Sequence, residues 1–319
     1  MPQQIIIHGT RIGLGEHVLT RLNISRLPSG TIIDIPVHVF RGPEDGPVVL
    51  LMAGMHGDEV NGIEIVRRLL RRKKLHPQRG TILAIPVLNI YGFLNFSREV
   101  PDGKDVNRSF PGNARGSLAS RVAAAFVKEI MPWVDYGIDF HTGGASRANY
   151  PQIRGILDDP VSARLAAAFG APFQINAGFR PKSLRKEAAR QGKTIIVYEC
   201  GESLRLDEEG VQIGMTGALR VLDALGLQQS ALPPPPPGIV CQDTKWVRAK
   251  VAGMFRCRVR IGQFIRKGEE IGSIADPYGE MAIVIKSPYT GHIVGLNHMA
   301  VVNQGDALLN LGIAGGRVV

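Results

Sequence analysis

The chain has 319 residues, 44% of them hydrophobic and 21% charged, and a formal net charge of +10. This balance suits two domains, or one large domain with an appendage, and excludes a disordered, collagen-like or coiled-coil chain. The positive charge favours anionic partners, but its densest run, RRLLRRKK from Arg67 to Lys74, reads as the exposed end of a helix and has no nucleic-acid motif beside it. The start, MPQQIIIHGTRIG, has no basic and apolar leader pattern, and the longest apolar runs fall short of a membrane span, so a cytoplasmic protein is expected. Three cysteines, Cys200, Cys241 and Cys257, without a CxxC pair argue against a disulfide framework or a Zn–Cys site.

Along the chain, apolar runs alternate with helical patterns. PVVLLMAG (47–54) reads as a buried strand, followed by Val60, Ile63, Val66, Leu69 and Leu70 at helical spacing. TILAIPVLN (81–89) is the next strand, and SLASRVAAAFVKEIM (117–131) an amphipathic helix that stops at Pro132. YGIDF (136–140) and TIIVYEC (194–200) are further strands, with SARLAAAFG (162–170) and SLRKEAARQG (183–192) as helices between them. Near-continuous apolar strands separated by helices predict an α/β fold with a mixed, mainly parallel sheet flanked by helices. Five prolines (233–237) and Gly238 then form an extended spacer. The expected division is therefore residues 1–232, a linker over 233–238, and a C-terminal segment, 239–319.

That last segment is rich in Val, Ile and Gly, lacks a helical pattern and reads as all-β. It also repeats itself: Gly253 and Gly268 in VAGMFRCRVRIGQFIRKGEEIGSI answer to Gly291 and Gly305 in SPYTGHIVGLNHMAVVNQGDALLNL. Two copies of one short β unit predict a small barrel-like sandwich with pseudo-twofold symmetry.

Four pieces carry chemistry. In Gly54-Met55-His56-Gly57-Asp58-Glu59, His56 and Glu59 stand three apart where a strand gives way to a helix, so both side chains can face one side. Alone, such a pair is more simply a satisfied polar pair at a helix start. In Asp139-Phe140-His141-Thr142-Gly143-Gly144, His141 ends an apolar strand; Glu199 in Tyr198-Glu199-Cys200-Gly201-Glu202 does the same, and a carboxylate there is costly to bury unless paired or functional. His56, His141 and Glu199 all fall at carboxyl ends of expected parallel strands, where α/β sheets keep their ligand crevice. Two histidines and a glutamate are the three protein ligands of a hydrolytic zinc site, with Glu199 left as general base. Cys200 has no neighbouring histidine and reads as a buried thiol. The fourth piece, SREVPDGKDVNRSFPG (97–112), is a loop carrying Arg98, Asp105, Asn107 and Arg108; an arginine fork beside an amide suits a carboxylate.

AGMHGDEVNG, DGKDVNRSFPG, DFHTGG and YECGE, in that order, resemble the succinylglutamate desuccinylase/aspartoacylase family, itself similar to the zinc carboxypeptidases. The resemblance implies one Zn2+ per chain held by His56, Glu59 and His141, with Glu199 as catalytic base and acid. It implies that Asn107 and Arg108 grip a substrate carboxylate, that Asp105 supports them, and that Arg98 polarises the scissile carbonyl. A further substrate arginine lies upstream of the catalytic glutamate in aspartoacylase-like members, and Arg185 and Arg190 both answer to it. The C-terminal segment resembles the barrel-sandwich fold of biotinyl and lipoyl domains, but its joint, Ala275 to Glu280, has no lysine at the tip, so a carrier is not expected. The implied activity is hydrolysis of the linear amide of a small, carboxylate-bearing N-acyl compound. A carboxypeptidase or amidase on small peptides, and a non-enzymatic anion or nucleic-acid binder, are the competing readings. The expected partner is a small molecule, with no nucleic acid and no membrane; a homo-oligomer is left open.

Overall fold

The computed structural model describes residues 4–26 and 29–315. A hairpin of β1 (Ile5–Ile7) and β2 (Thr10–Ile12) is followed by two long strands, β3 (His17–Arg26) and β4 (Ile32–Arg41), and then by β5 (Glu44–Ala53). Helix α1 (Val60–Arg71), β6 (Arg79–Ile85), the short α2 (Ile90–Leu94), α3 (Leu118–Glu129) and β7 (Tyr136–Gly143) come next. The chain continues through β8 (Arg147–Gly155), α4 (Pro160–Phe169), β9 (Phe173–Asn176), α5 (Leu184–Arg190), β10 (Thr194–Glu202) and α6 (Glu208–Ala224).

Strands β6, β5, β7 and β10 lie side by side and parallel. Both faces of this sheet are covered, which is why β5 is apolar throughout instead of alternating. Leu50 and Met52 point into a core shared with Val122 and Phe126 of α3 and Leu184 of α5. Val49, Leu51 and Ala53 point the other way, against Ile65 and Leu69 of α1, Leu165 of α4 and Val211 of α6. Each fully buried side chain of this size contributes roughly 1.5–3 kcal/mol. Gly62 lets α1 lie close on the sheet: a Cβ there would come within 2.6 Å of Phe140 Cβ. The helix ends follow from local residues. Ser117, Asp159, Ser183 and Asp207 each accept a backbone N–H from the first turn of α3, α4, α5 and α6, and α4 stops at the left-handed Gly170.

The sheet departs from the mainly parallel expectation outside these four strands. β8 enters antiparallel to β10, and β4 and β3 add antiparallel strands at the other side. The sheet is mixed because β3–β4 is a hairpin and β7–β8 a tight turn, and neither needs a helical crossover. Alternation in β4 is imperfect, and β8 carries Arg147, Asn149, Gln152 and Arg154, so neither strand showed the apolar run by which the others were recognised.

The prolines at 233–237 form neither helix nor strand, and Pro235 packs on Gly170. Beyond them lie β11 (Ile239–Arg248), β12 (Gly253–Cys257), β13 (Phe264–Ile265), β14 (Glu270–Ala275), β15 (Ala282–Lys286), β16 (Gly291–Asn297), β17 (Val301–Val302) and β18 (Ala307–Ala314). The sequence repeat is visible in the pairing. β12 pairs with β14 of its own copy and β17 of the other, while β16 pairs with β18 of its own copy and β13 of the other. The two layers enclose a separate core that includes Val247, Phe255, Ile274, Ile293 and Leu309. One layer continues the large sheet, because β11 runs parallel to β9 and β16 pairs with β8. Among the described residues no helix is long and apolar enough to cross a membrane. The basic run sits at the end of α1 as expected, with Arg67 and Arg68 on Glu64 and Arg68 also on Glu208.

Candidate metal centre and substrate cavity

The parallel strands end together, and the site is built at their carboxyl ends. The turn after β5 carries His56 and leads through Glu59 into α1; His141 lies near the end of β7; Glu199 pairs in register with His141 from β10. The loop following α2 returns Arg98, Asp105, Asn107 and Arg108 to the same place. Close packing of α2, from which that loop departs, depends on Gly57, where a Cβ would overlap the backbone of Gly92 and Phe93.

Glu59 stands between two imidazoles. Its Oε1 lies 2.7 Å from His56 Nδ1 and its Oε2 2.8 Å from His141 Nδ1. One ligand atom from each of the three residues falls within 4.8 Å of the others, and all three side chains are buried. The outer nitrogens are taken by carboxylates: His141 Nε2 is 2.8 Å from Asp139 Oδ2, and His56 Nε2 is 3.2 Å from Asp105 Oδ1. A proton on each Nε2 would leave both Nδ1 lone pairs on the Glu59 side, the arrangement by which carboxylates orient metal-bound histidines. Burial opposes charge on both rings, yet Asp139 and Glu59 raise His141 well above its ordinary range, and Glu59 and Asp105 raise His56. Burial likewise opposes charge on Glu59, but the two imidazoles hold its carboxyl well below the usual range. The pocket therefore favours positive charge at its centre. Two imidazoles and one carboxylate form the donor set of a hydrolytic zinc site, so these residues fit such an ion.

A cavity of about 590 Å³ opens on this cluster, and His56, Glu59, Arg98, Asn107, Arg108, His141 and Glu199 all line it. Asp105 stands just behind: its Oδ2 accepts from Arg98 Nη2 at 2.9 Å, its Oδ1 from the backbone N–H of Asn107 at 2.7 Å. Arg98 Nη1 also reaches Glu59 Oε1 at 3.2 Å. Asn107 Oδ1 accepts the Leu184 N–H at the start of α5, which ties the loop to that helix. Of the two upstream arginines, Arg185 lines the cavity, whereas Arg190 is exposed and paired with Glu187. Burial and the charge of Arg154 pull Arg185 down to about 10. Among the described residues, the buried Nε of Arg154 and that of Arg185 have no hydrogen-bond partner. Cys200 is fully buried, and burial pushes its thiol up, away from the reactive thiolate.

Asn149 and Arg154 of β8, and Thr244 and Trp246 of β11, also line the cavity and were not singled out in the sequence. The polar alternation of β8 was their available signal; the β11 residues carry none, because only the parallel pairing of β11 with β9 brings them near.

A family model described as the succinylglutamate desuccinylase/aspartoacylase catalytic domain matches residues 45–225. The N-alpha-acetyl-L-2,4-diaminobutyric acid deacetylase of Halomonas elongata is 29% identical over 309 residues, covering 92% of this chain and 90% of that protein. The crystal structure of a succinylglutamate desuccinylase/aspartoacylase from Rhodobacter sphaeroides superposes with a TM-score of 0.83 at 28% identity, covering 95% of this chain and 96% of that one. The product-bound ectoine utilization protein EutE (DoeB) from Ruegeria pomeroyi shares the fold, with a TM-score of 0.82 at 22% identity over 94% of this chain and 95% of its own. Every candidate site residue falls inside the matched catalytic domain, which spans more than half of the sequence, and the chain belongs to the succinylglutamate desuccinylase/aspartoacylase family.

Proposed function

We propose that the protein is a zinc-dependent deacylase that hydrolyses the linear amide of a small N-acyl amino acid or a related carboxylate-bearing amide. The observation that carries this reading is the meeting of His56, Glu59 and His141 at one point, with Glu199 in register beside His141 on the same cavity. The similarity to a deacetylase of an N-acetylated diamino acid supports the reaction class.

His56, Glu59 and His141 would hold the ion. When bound, it supplies Lewis acidity towards the amide carbonyl and brings the pKa of water towards about 7. Glu199 takes the proton of the attacking water and returns it to the departing amine. The Arg98 guanidinium, fixed by Asp105, faces the negative charge that develops on the carbonyl oxygen. Asn107, Arg108 and Arg185 hold the substrate carboxylate and so fix the amide in place. A cavity with several arginines, two of them half-buried with an unpartnered Nε, is costly without an anion inside it. The C-terminal β segment belongs to the same reading as a second domain joined at the proline run, its strand β11 supplying one wall of the cavity.

The test is a panel of N-acylated amino acids and C-terminal peptides assayed with zinc-loaded and chelated protein. Zinc-dependent release of amine from the N-acyl amino acids is expected; cleavage of the peptides alone would favour a carboxypeptidase. Chelator-resistant, steeply salt-dependent binding of DNA or RNA without hydrolysis would favour the binding protein.

Arg185→Leu is expected to raise KM by roughly 10- to 100-fold, the value of a hydrogen bond to a charged group. Arg190→Leu should leave KM unchanged, since that side chain spends its charge on Glu187 at the surface. Steady-state kinetics of both variants decide the point, and an unchanged KM for Arg185→Leu would remove it from the substrate contacts.

A further inference from the structure

Glu199 is held from β8, and β8 is in turn held from the C-terminal layer. Asn149 donates from Nδ2 to Glu199 Oε2 at 2.6 Å. The other carboxylate oxygen, Oε1, has Arg154 Nε 3.9 Å away, too long for a hydrogen bond. One oxygen is thus fixed and the second stays available in the cavity. Asn149 lies in register with Gly201 of β10 on one side and with Gly295 of β16 on the other. A second tie joins the same two strands, the buried Gln152 Nε2 donating to the Val294 carbonyl at 3.0 Å.

Gly295 is the informative neighbour. It is not among the glycines with left-handed backbone, so conformation does not call for glycine there. Space does: a Cβ would stand 3.2 Å from Asn149 Oδ1 and 3.2 Å from Asn310 Cβ. The missing side chain makes room for the carbonyl end of the Asn149 amide and thereby leaves its NH2 end facing Glu199. Reversing that amide would set a carbonyl oxygen against a carboxylate, a repulsive contact.

We infer that Asn149 is a positioning residue for Glu199, and that the C-terminal β layer sets the Asn149 amide through Gly295. The segment beyond the proline run then takes part in turnover as well as walling the cavity. This rests on Glu199 as the proton-transfer group, and the experiment separates the two ideas.

Asn149→Leu keeps the size of the side chain and removes the donor. It is expected to lower kcat by roughly tenfold to a hundredfold, the scale of a misplaced catalytic group, with KM and zinc content unchanged. Gly295→Ala should lower kcat by a smaller factor alone and by almost nothing in the Asn149→Leu background, because both act through one amide. Crystal structures of the native and Gly295→Ala proteins should show the Asn149–Glu199 hydrogen bond lengthened in the variant. Native kcat in Asn149→Leu, equal losses from Gly295→Ala in both backgrounds, or an unmoved hydrogen bond in its crystal structure would each overturn the inference. A native enzyme inactive on every N-acyl amino acid would instead bring down the reading of the site, and the two crystal structures would still decide the link.

Discussion

Glu199→Gln is expected to retain one zinc per chain and to lose roughly two to four orders of magnitude in kcat, the usual share of general acid–base catalysis. Glutamine preserves length and shape, and its carbonyl oxygen can still accept from Asn149, so the cavity should not rearrange. What disappears is the carboxylate proposed to move the proton. The other acids at the centre are engaged: Glu59 lies between two imidazoles and Asp139 against His141. Asp105 is held by Arg98 and His56. KM should change little, because the arginines proposed to take the substrate carboxylate are untouched. Hydrolysis by the variant at the native rate would move the role elsewhere. Glu202 is the nearest candidate in sequence, but its carboxylate is already 2.8 Å from His298 Nδ1 and it does not line the cavity. Steady-state kinetics with metal analysis on the same sample make the comparison.

The parts of the fold that were legible in the sequence are those where burial dictates composition. β5, β6, β7 and β10 are covered on both faces and could only be written in apolar residues, so their order and helices emerged from hydrophobic runs and turn residues. His56, His141 and Glu199 were conspicuous for the same reason, as polar groups ending apolar strands. The C-terminal repeat was legible because glycines recur where its turns need left-handed backbone, as at Gly268 and Gly305. The antiparallel strands were not, since β8 has one face turned to a polar cavity and so reads as a loop. The choice between Arg185 and Arg190 was also out of reach. Both sit on α5 five residues apart, on opposite sides of a helix whose rotation depends on what it packs against. Asn107 anchoring Leu184 settles that rotation, and it is a contact between residues far apart in the chain.

His56→Ala is the second large effect expected, and its first readout is binding. With His56 gone, Glu59 and His141 remain as two protein ligands where a hydrolytic zinc site uses three. Stoichiometric zinc should be lost from the purified variant, and activity with it. Thermal stability gives an independent measure, because an ion that binds the folded chain raises its melting temperature by mass action. Chelation should therefore lower the melting temperature of the native protein and leave that of the variant unchanged. The variant should start lower than the chelated native protein as well. Its Glu59 carboxylate, 2% exposed at the side chain, loses one of the two imidazoles that hold it in the ionised form. Stripping a partner from a buried charge is destabilising, typically by about 3–5 kcal/mol where no other partner remains. Here the loss should fall below that range, since His141 Nδ1, the Thr142 N–H and Arg98 Nη1 still face Glu59. Elemental analysis finding one zinc per chain in His56→Ala, with a melting temperature that still falls on chelation, would place the ion elsewhere in the molecule.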